Sequence, residues 1–417
     1  MKEGTAISAS GVRPRKVATA LLVLFVATIL AEPEPARAAP DSGCPVLWVL
    51  GVQGTGQSSP TASRTDDTGV LGALLGPVGA AVPDLVQHTY IPYPAGFGGA
   101  PGVGGGAESY TASVTEAVAD LATTAEQIAA SCPATRLAMV GYSQGAQAVS
   151  QLARAIGAGN GPVPAETVAA VALYADPERR AGSPVFPGRP GQLTPDPAPG
   201  TSGTAVASVQ ITAPAASGGG IADDDADYGT LTGRVLDICV DGDLACSTPE
   251  HAALLRTGAL LAAQADLSNP VAAIAGMHHV LTQALGSAWA TVVLDDILIS
   301  PATVDYSPRK PLSQRIIDAS DPRVAAPPPE RVAAASERWN QVTATVAAHP
   351  VEAAKLAGQL AGAWGQLVAD NADLANPAVW ARLAATVPLH DGYPNGQLAT
   401  GIAWLMAVAH DLSQGQS

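Results

Sequence analysis

Basic residues are scarce in this chain. Lys and Arg together number 21 against 36 Asp and Glu, a formal charge of −15 over 417 residues. That balance argues against nucleic-acid binding and against simple adsorption to anionic lipid. Long apolar runs are also lacking: beyond the N-terminal region none is long enough to span a bilayer. Only four cysteines occur, Cys44, Cys132, Cys239 and Cys246. No C-x-x-C spacing and no neighbouring histidine pair accompany them, which argues against zinc. A Gly-rich turn, Gln53-Gly54-Thr55-Gly56, follows the apolar stretch Cys44–Val52. No G-K-[ST] comes after it and its glycine order is wrong for a dinucleotide fingerprint, which excludes nucleotide binding.

What is present begins with a targeting segment. Arg13, Arg15 and Lys16 precede an apolar run from Val17 to Ala31, and Ala36-Arg37-Ala38 offers an A-x-A cleavage site. This is the layout of a secretory signal peptide over residues 1–38, so the expected location is secreted or in the cell envelope. All four cysteines follow it. An even count in a secreted chain favours two disulfides, with three pairings open. Cys239 and Cys246 are close enough to clip one loop, which leaves Cys44 with Cys132; free thiols are the alternative.

The next stretch reads as α/β. Cys44–Val52, Thr89–Tyr93, Arg136–Val140, Val168–Tyr174 and Arg234–Val240 are strand candidates, alternating in part with helical patterns at Val114–Ala130 and Gln144–Ile156. Such alternation predicts a central, mostly parallel sheet flanked by helices. Ala181–Gly233 is Pro- and Gly-rich, a long irregular segment. Its acidic cluster, Asp223, Asp224, Asp225 and Asp227, matches no calcium loop and reads as solvated. From Glu250 to Thr386 the pattern becomes Ala-rich and helical, punctuated by Pro327-Pro328-Pro329 and Asn376-Pro377. Leu398, Ile402, Leu405, Ala409 and Leu412 then share one face of a last helix. The expected organisation is a core over 39–250, an all-helical insertion or cap over 251–386, and a return to the core over 387–417.

Gly141-Tyr142-Ser143-Gln144-Gly145 lies between the strand Arg136–Val140 and the helix Gln144–Ile156. A G-x-S-x-G turn in that context is the nucleophile elbow of α/β-hydrolases. The turn raises the serine hydroxyl above the sheet, and the helix N-terminus and the Gln144 N–H face the developing oxyanion. A serine nucleophile needs a base, and the base an orienting acid, in chain order Ser, Asp or Glu, His. Asp176 and Asp241 are acid candidates, but Asp243 is preferred because Cys239 and Cys246 frame it. For the base, His251 opens a helix and His278-His279 sit inside one. His390 lies in Pro388-Leu389-His390-Asp391-Gly392-Tyr393-Pro394, a loop just before the last helix, where such a hydrolase puts its histidine. His390 is preferred. His88, His349 and His410 read as structural.

These stretches together resemble the cutinase family of serine esterases. The opening C-P strand into Gly54-Thr55 resembles the family's oxyanion loop. Cys132-Pro133-Ala134-Thr135 leads through a strand to the serine turn. Tyr174-Ala175-Asp176-Pro177 and the C-x-x-x-D-x-x-C around Asp243 match too, and His390-x-x-Tyr393 matches its H-x-x-Y. The resemblance covers the chain from the signal segment to about Glu250. It implies Ser143, Asp243 and His390 as the catalytic set, Thr55 with the N–H of Gln144 as the oxyanion hole, and the pairings Cys44–Cys132 and Cys239–Cys246. Gln53 stands where the family has arginine, so that charge is absent. A helical insertion between acid and base resembles the phage endolysins that cleave mycolyl esters, although those lack a signal peptide.

The reading is therefore a secreted, monomeric hydrolase of acyl or lipid esters, working through an acyl-enzyme on Ser143 without cofactor or metal, and in contact with envelope lipids. Two alternatives stand beside it. One is an acyltransferase or mycolyl-ester hydrolase acting on envelope lipids. The other is a non-catalytic envelope-binding protein on the same fold.

Overall fold

The computed structural model describes residues 43–213, 216–224 and 227–415. The expected signal segment over 1–38 and Asp225 lie outside the described residues. The first part of the chain runs β1 (Leu47–Val52), α1 (Gly69–Ala81), β2 (Val86–Tyr90), α2 (Tyr110–Ser131), β3 (Arg136–Tyr142), α3 (Gln144–Gly157), β4 (Val168–Tyr174) and β5 (Val235–Ile238). The five strands form one parallel sheet in the order β2-β1-β3-β4-β5. Every residue of β4, VAAVALY, is buried. A continuous apolar run is what a parallel strand covered on both faces requires.

The remainder runs α4 (Ala253–Ala262), α5 (Pro270–Thr291), β6 (Ile297–Ile299), β7 (Val304–Tyr306), α6 (Leu312–Ser320), α7 (Pro329–Ala348), α8 (Pro350–Ala369), α9 (Pro377–Ala384), α10 (Thr386–His390) and α11 (Ala399–Gly415). The segment expected to be all-helical is therefore corrected: it contains an antiparallel hairpin of β6 and β7, entered through a single π-helical turn at Val292–Asp296. Its own small core gathers Val293, Ile297, Val304, Ala335, Val342 and Leu356. Three-residue strands give too short an alternation to register against the surrounding helical period.

Two layers sandwich the sheet. On one face α1 and α11 meet the alternate residues Leu47, Val49, Ala138 and Val140. On the other α2 and α3 cover Leu50, Val52, Leu137 and Met139. Helix α1 was not legible, since GVLGALLGPVGAA carries four glycines and Pro77. Tertiary contacts start it: Gln57 Oε1 accepts the Val70 N–H at 3.0 Å and Gln53 Oε1 the Leu71 N–H at 3.2 Å. The irregular stretch 181–233 is packed, with Phe186, Val206 and Ile211 buried. Its acidic cluster is not simply solvated: Asp223 pairs with Arg256, and Asp224 with Arg154 and Arg323.

Candidate active site

Ser143 sits between β3 and α3 with φ 55° and ψ −123°, a left-handed conformation rarely adopted by a residue with a side chain. The flanking glycines make that turn sterically feasible. A Cβ on Gly141 would lie 2.5 Å from Ala146 Cα, and one on Gly145 would collide with the carbonyl oxygens of Val52 and Gln53. The turn is pinned from beneath by the Ser143 N–H, which donates to the Tyr174 carbonyl at 2.9 Å.

Three side chains, spread over 248 residues of sequence, form one hydrogen-bonded chain. His390 Nε2 is 2.8 Å from Ser143 Oγ. His390 Nδ1 is 2.9 Å from each oxygen of Asp243. Asp243 is fully buried, whereas His390 is partly exposed. His390 was expected in a loop; it is the final residue of the short helix α10, and the turn that follows carries Tyr393 back beneath it.

Asp243 is held by more than the histidine. The Ala245 N–H donates to Asp243 Oδ1 at 3.0 Å, and the Tyr393 hydroxyl donates to Oδ2 at 3.0 Å. The same hydroxyl accepts the Val240 N–H at 3.1 Å. Burial, then the Asp243 charge, pushes the Tyr393 hydroxyl well above the usual tyrosine range, so it remains a donor. The disulfide Cys239–Cys246 closes the loop that carries Asp243, and Cys44–Cys132 ties the start of β1 to the end of α2. Tyr142 holds His390: its hydroxyl donates to the His390 carbonyl at 2.7 Å, and its ring lies 5.1 Å from the imidazole. Neither tyrosine hydroxyl was assigned a role from sequence, although H-x-x-Y and G-Y-S-Q-G contain both.

Thr55 lines the cleft beside Ser143. Gly54 packs so closely that a Cβ there would be 3.1 Å from Ser143 Cβ. Among the described residues, no hydrogen bond engages the N–H of Thr55 or of Gln144. The Gln144 side chain is occupied elsewhere, donating to the Gly96 carbonyl at 3.0 Å and accepting from Ser113 at 3.4 Å. Gln53, in place of an arginine, works as a clamp. Its amide donates to the Thr68 carbonyl at 2.5 Å while its oxygen caps α1, and Tyr93 holds its carbonyl at 2.6 Å. The loop is thus fixed by neutral hydrogen bonds.

The alternatives lie elsewhere. Asp176 is buried against the Glu178 N–H and Asp237. Asp241 is tied to Ser217 and Ser247. His278 and His279 are exposed on α5, and His251 lines a separate cavity of about 310 Å³. His88 bonds Asp67 at 2.9 Å.

Ser143, His390 and Asp243 open into a mainly apolar cleft of about 770 Å³. The core contributes Phe97, Val103 and Val114 to its walls. The segment after β5 contributes Leu260 and Ala263 near α4, Pro322, and Val387 of α10.

The Cutinase family matches residues 49–255. The Carboxylesterase Culp6 homolog of Corynebacterium glutamicum is 34% identical over 123 residues, covering 28% of this chain and 37% of that protein. The chain thus spans little more than a third of the length of that curated relative. Among solved structures, the catalytic core domain of acetyl xylan esterase from Trichoderma reesei is 22% identical with a TM-score of 0.35, covering 57% of this chain and 98% of its own. Lysin B from Mycobacteriophage D29 is 20% identical with a TM-score of 0.36, covering 70% of this chain and 98% of its own.

Proposed function

The chain carries a cutinase-family region over residues 49–255, and from that premise we propose that it is a secreted serine esterase of acyl or lipid esters. The observation that carries the reading is the unbroken hydrogen-bonded chain Ser143–His390–Asp243 at the floor of an apolar cleft. Ser143 Oγ attacks the ester carbonyl while His390 Nε2 takes its proton. The N–H groups of Thr55 and Gln144 receive the oxyanion, and the N-terminal dipole of α3 adds to them. His390 then protonates the departing alcohol. Water, deprotonated by the same imidazole, releases the acid from the acyl-enzyme. Asp243 keeps Nδ1 protonated, so Nε2 is the basic nitrogen.

The apolar walls suit an acyl chain, because burying each methylene there is worth about 0.8 kcal/mol. Leu260, Ala263 and Val387 make the segment after β5 a wall of that cleft, so this segment sets chain-length preference. Two disulfides fit an oxidising, extracytoplasmic location, in keeping with the signal segment over 1–38. Wild-type protein should label with a fluorophosphonate and hydrolyse p-nitrophenyl esters; Ser143→Ala should do neither. Labelling that persists in Ser143→Ala would refute the assignment. Product analysis with an added alcohol separates hydrolysis from transfer on the same acyl-enzyme.

A further inference from the structure

Helix α5 has an unusual surface. Val271, Ile274, Leu281, Leu285 and Trp289 recur at steps of three, seven, four and four residues, so they share one face. All five are exposed, Val271 and Ile274 by 77% and 72%. The whole run 267–294 contains no Asp, Glu, Lys or Arg. A helix exposed to water on one side ordinarily carries charge there. The buried side of α5 is alanine, Ala284, Ala288 and Ala290. The exposed imidazole of His278 lies within the same stripe and, like Trp289, joins an apolar ring to a polar edge.

The start of α5 adjoins the cleft. The Leu267 N–H donates to the Gly98 carbonyl at 2.7 Å, and Ser268 packs on Gly99. On the same loop Phe97 and Val103 line the cleft, and Val103 is itself exposed. The apolar stripe of α5 therefore starts a few residues from the loop that lines the cleft.

We propose that α5 docks on an uncharged lipid–water surface, placing the cleft beside aggregated acyl ester. The proposal rests on the esterase reading for its purpose, and on the helix alone for its physics. Charge selects the occupant. A chain of net charge −15 is repelled by anionic headgroups and by a second copy of itself. An uncharged stripe meets neither penalty against neutral headgroups. The stripe is also narrow. The nineteen residues 271–289 rise about 27 Å, and at a helix width of about 10 Å that strip covers about 270 Å², small against the roughly 800 Å² per partner of a stable protein interface. Lying in a headgroup boundary requires only such an edge, with tryptophan at the interface.

Ser143→Ala protein, which cannot consume ester, is floated with phosphatidylcholine vesicles. It should bind them, and adding anionic lipid should weaken binding. Ile274→Gln/Leu281→Gln/Leu285→Gln in that background should lower vesicle affinity at least tenfold. With Ser143 intact, the same triple change should leave the rate on a soluble short-chain ester within twofold of wild type. Val271→Gln/Ile274→Gln, at two highly exposed positions, provides the same comparison without touching the core. Absent vesicle binding, or binding unchanged in both variants, overturns the proposal. So does a dimer in sedimentation that the triple variant dissolves, since the face would then belong to a second copy. Vesicle binding without any esterase activity would uphold the docking face while refuting the esterase reading.

Discussion

Replacing Tyr393 by Phe removes one hydroxyl and keeps the ring, which is packed between Tyr142 and Tyr174 at centroid distances of 5.8 and 6.3 Å. Two hydrogen bonds go with it. One is the charge-assisted donation to Asp243 Oδ2 and the other the acceptance from the Val240 N–H. An unsatisfied buried group costs about 1–3 kcal/mol, so the folded state should lose roughly 2–4 kcal/mol. The catalytic cost is smaller. Asp243 keeps the Ala245 N–H on Oδ1 and stays 2.9 Å from His390 Nδ1 through either oxygen. Loss of one of its donors loosens the imidazole without removing its partner. The expected fall in kcat/KM is about tenfold, or about 1.4 kcal/mol of transition-state stabilisation. KM should hold, because Tyr393 does not line the cleft. Asp243→Asn leaves the base in the wrong tautomer and should cost on the order of 10⁴ in kcat. The assay is steady-state hydrolysis of a soluble ester with a thermal melt on the same samples. Wild-type kcat and melting temperature in Tyr393→Phe would show that the tyrosine does not hold the acid. A loss equal to that of Asp243→Asn would show that it belongs to the reacting set rather than supporting it.

Three further outcomes follow from the same structure. Leu260→Trp fills the cleft from the side of α4 and should move the preferred acyl chain to shorter lengths on an ester series; an unchanged optimum would separate α4 from chain selection. Cys239→Ser/Cys246→Ser frees the loop bearing Asp243 and should lower kcat while Ser143 still labels with a fluorophosphonate; a full wild-type kcat would show that the loop is held without the disulfide. Burial raises the Asp237 carboxyl above its usual range, against the lowering pull of Arg179 and Arg154. A raised acid contributes stability that is full below its unfolded value, about pH 3.9, and is lost as pH climbs through its folded value. Asp237→Asn should therefore gain melting temperature over wild type as pH rises from about 4 toward 8, and a gap that widens in the opposite sense would mean the carboxylate is ionised and needed.

The sheet and the serine turn were legible because local chemistry fixes them. VAAVALY reads as a covered strand, and a Cβ on Gly141 or Gly145 would collide with neighbouring backbone. The geometry that joins Ser143, Asp243 and His390 was suggested by motif order, not by physics visible along the chain. Residues 147 apart come together only through the sheet and the return of α10 and α11. What stayed hidden was set by distant partners. Helix α1 depends on amides from Gln53 and Gln57, and the β6–β7 hairpin on side chains of a later helix. Glu352 accepts the Val304 N–H and Gln359 the Tyr306 N–H. Neither local propensity nor hydrophobic period records such capping.

Buried ion pairs bind the later segment to the helix that follows Ser143. Glu178 is fully buried and accepts from Gln147, Gln151 and Arg154, all on the helix that Ser143 begins, and from Arg323, which follows α6. Arg323 also pairs with Asp224 and donates to the Ala222 carbonyl, while lining the cleft beside Ile221. A buried carboxylate stripped of one cation is far more costly than an exposed one. The Arg323 wall therefore cannot swing away from the cleft without leaving Glu178 short of a cation in the core. The 321–323 segment is in this way a fixed wall, anchored to the same helix that follows Ser143. The parts of the later segment free to respond to a lipid surface are those without such ties, chiefly the exposed edge of α5.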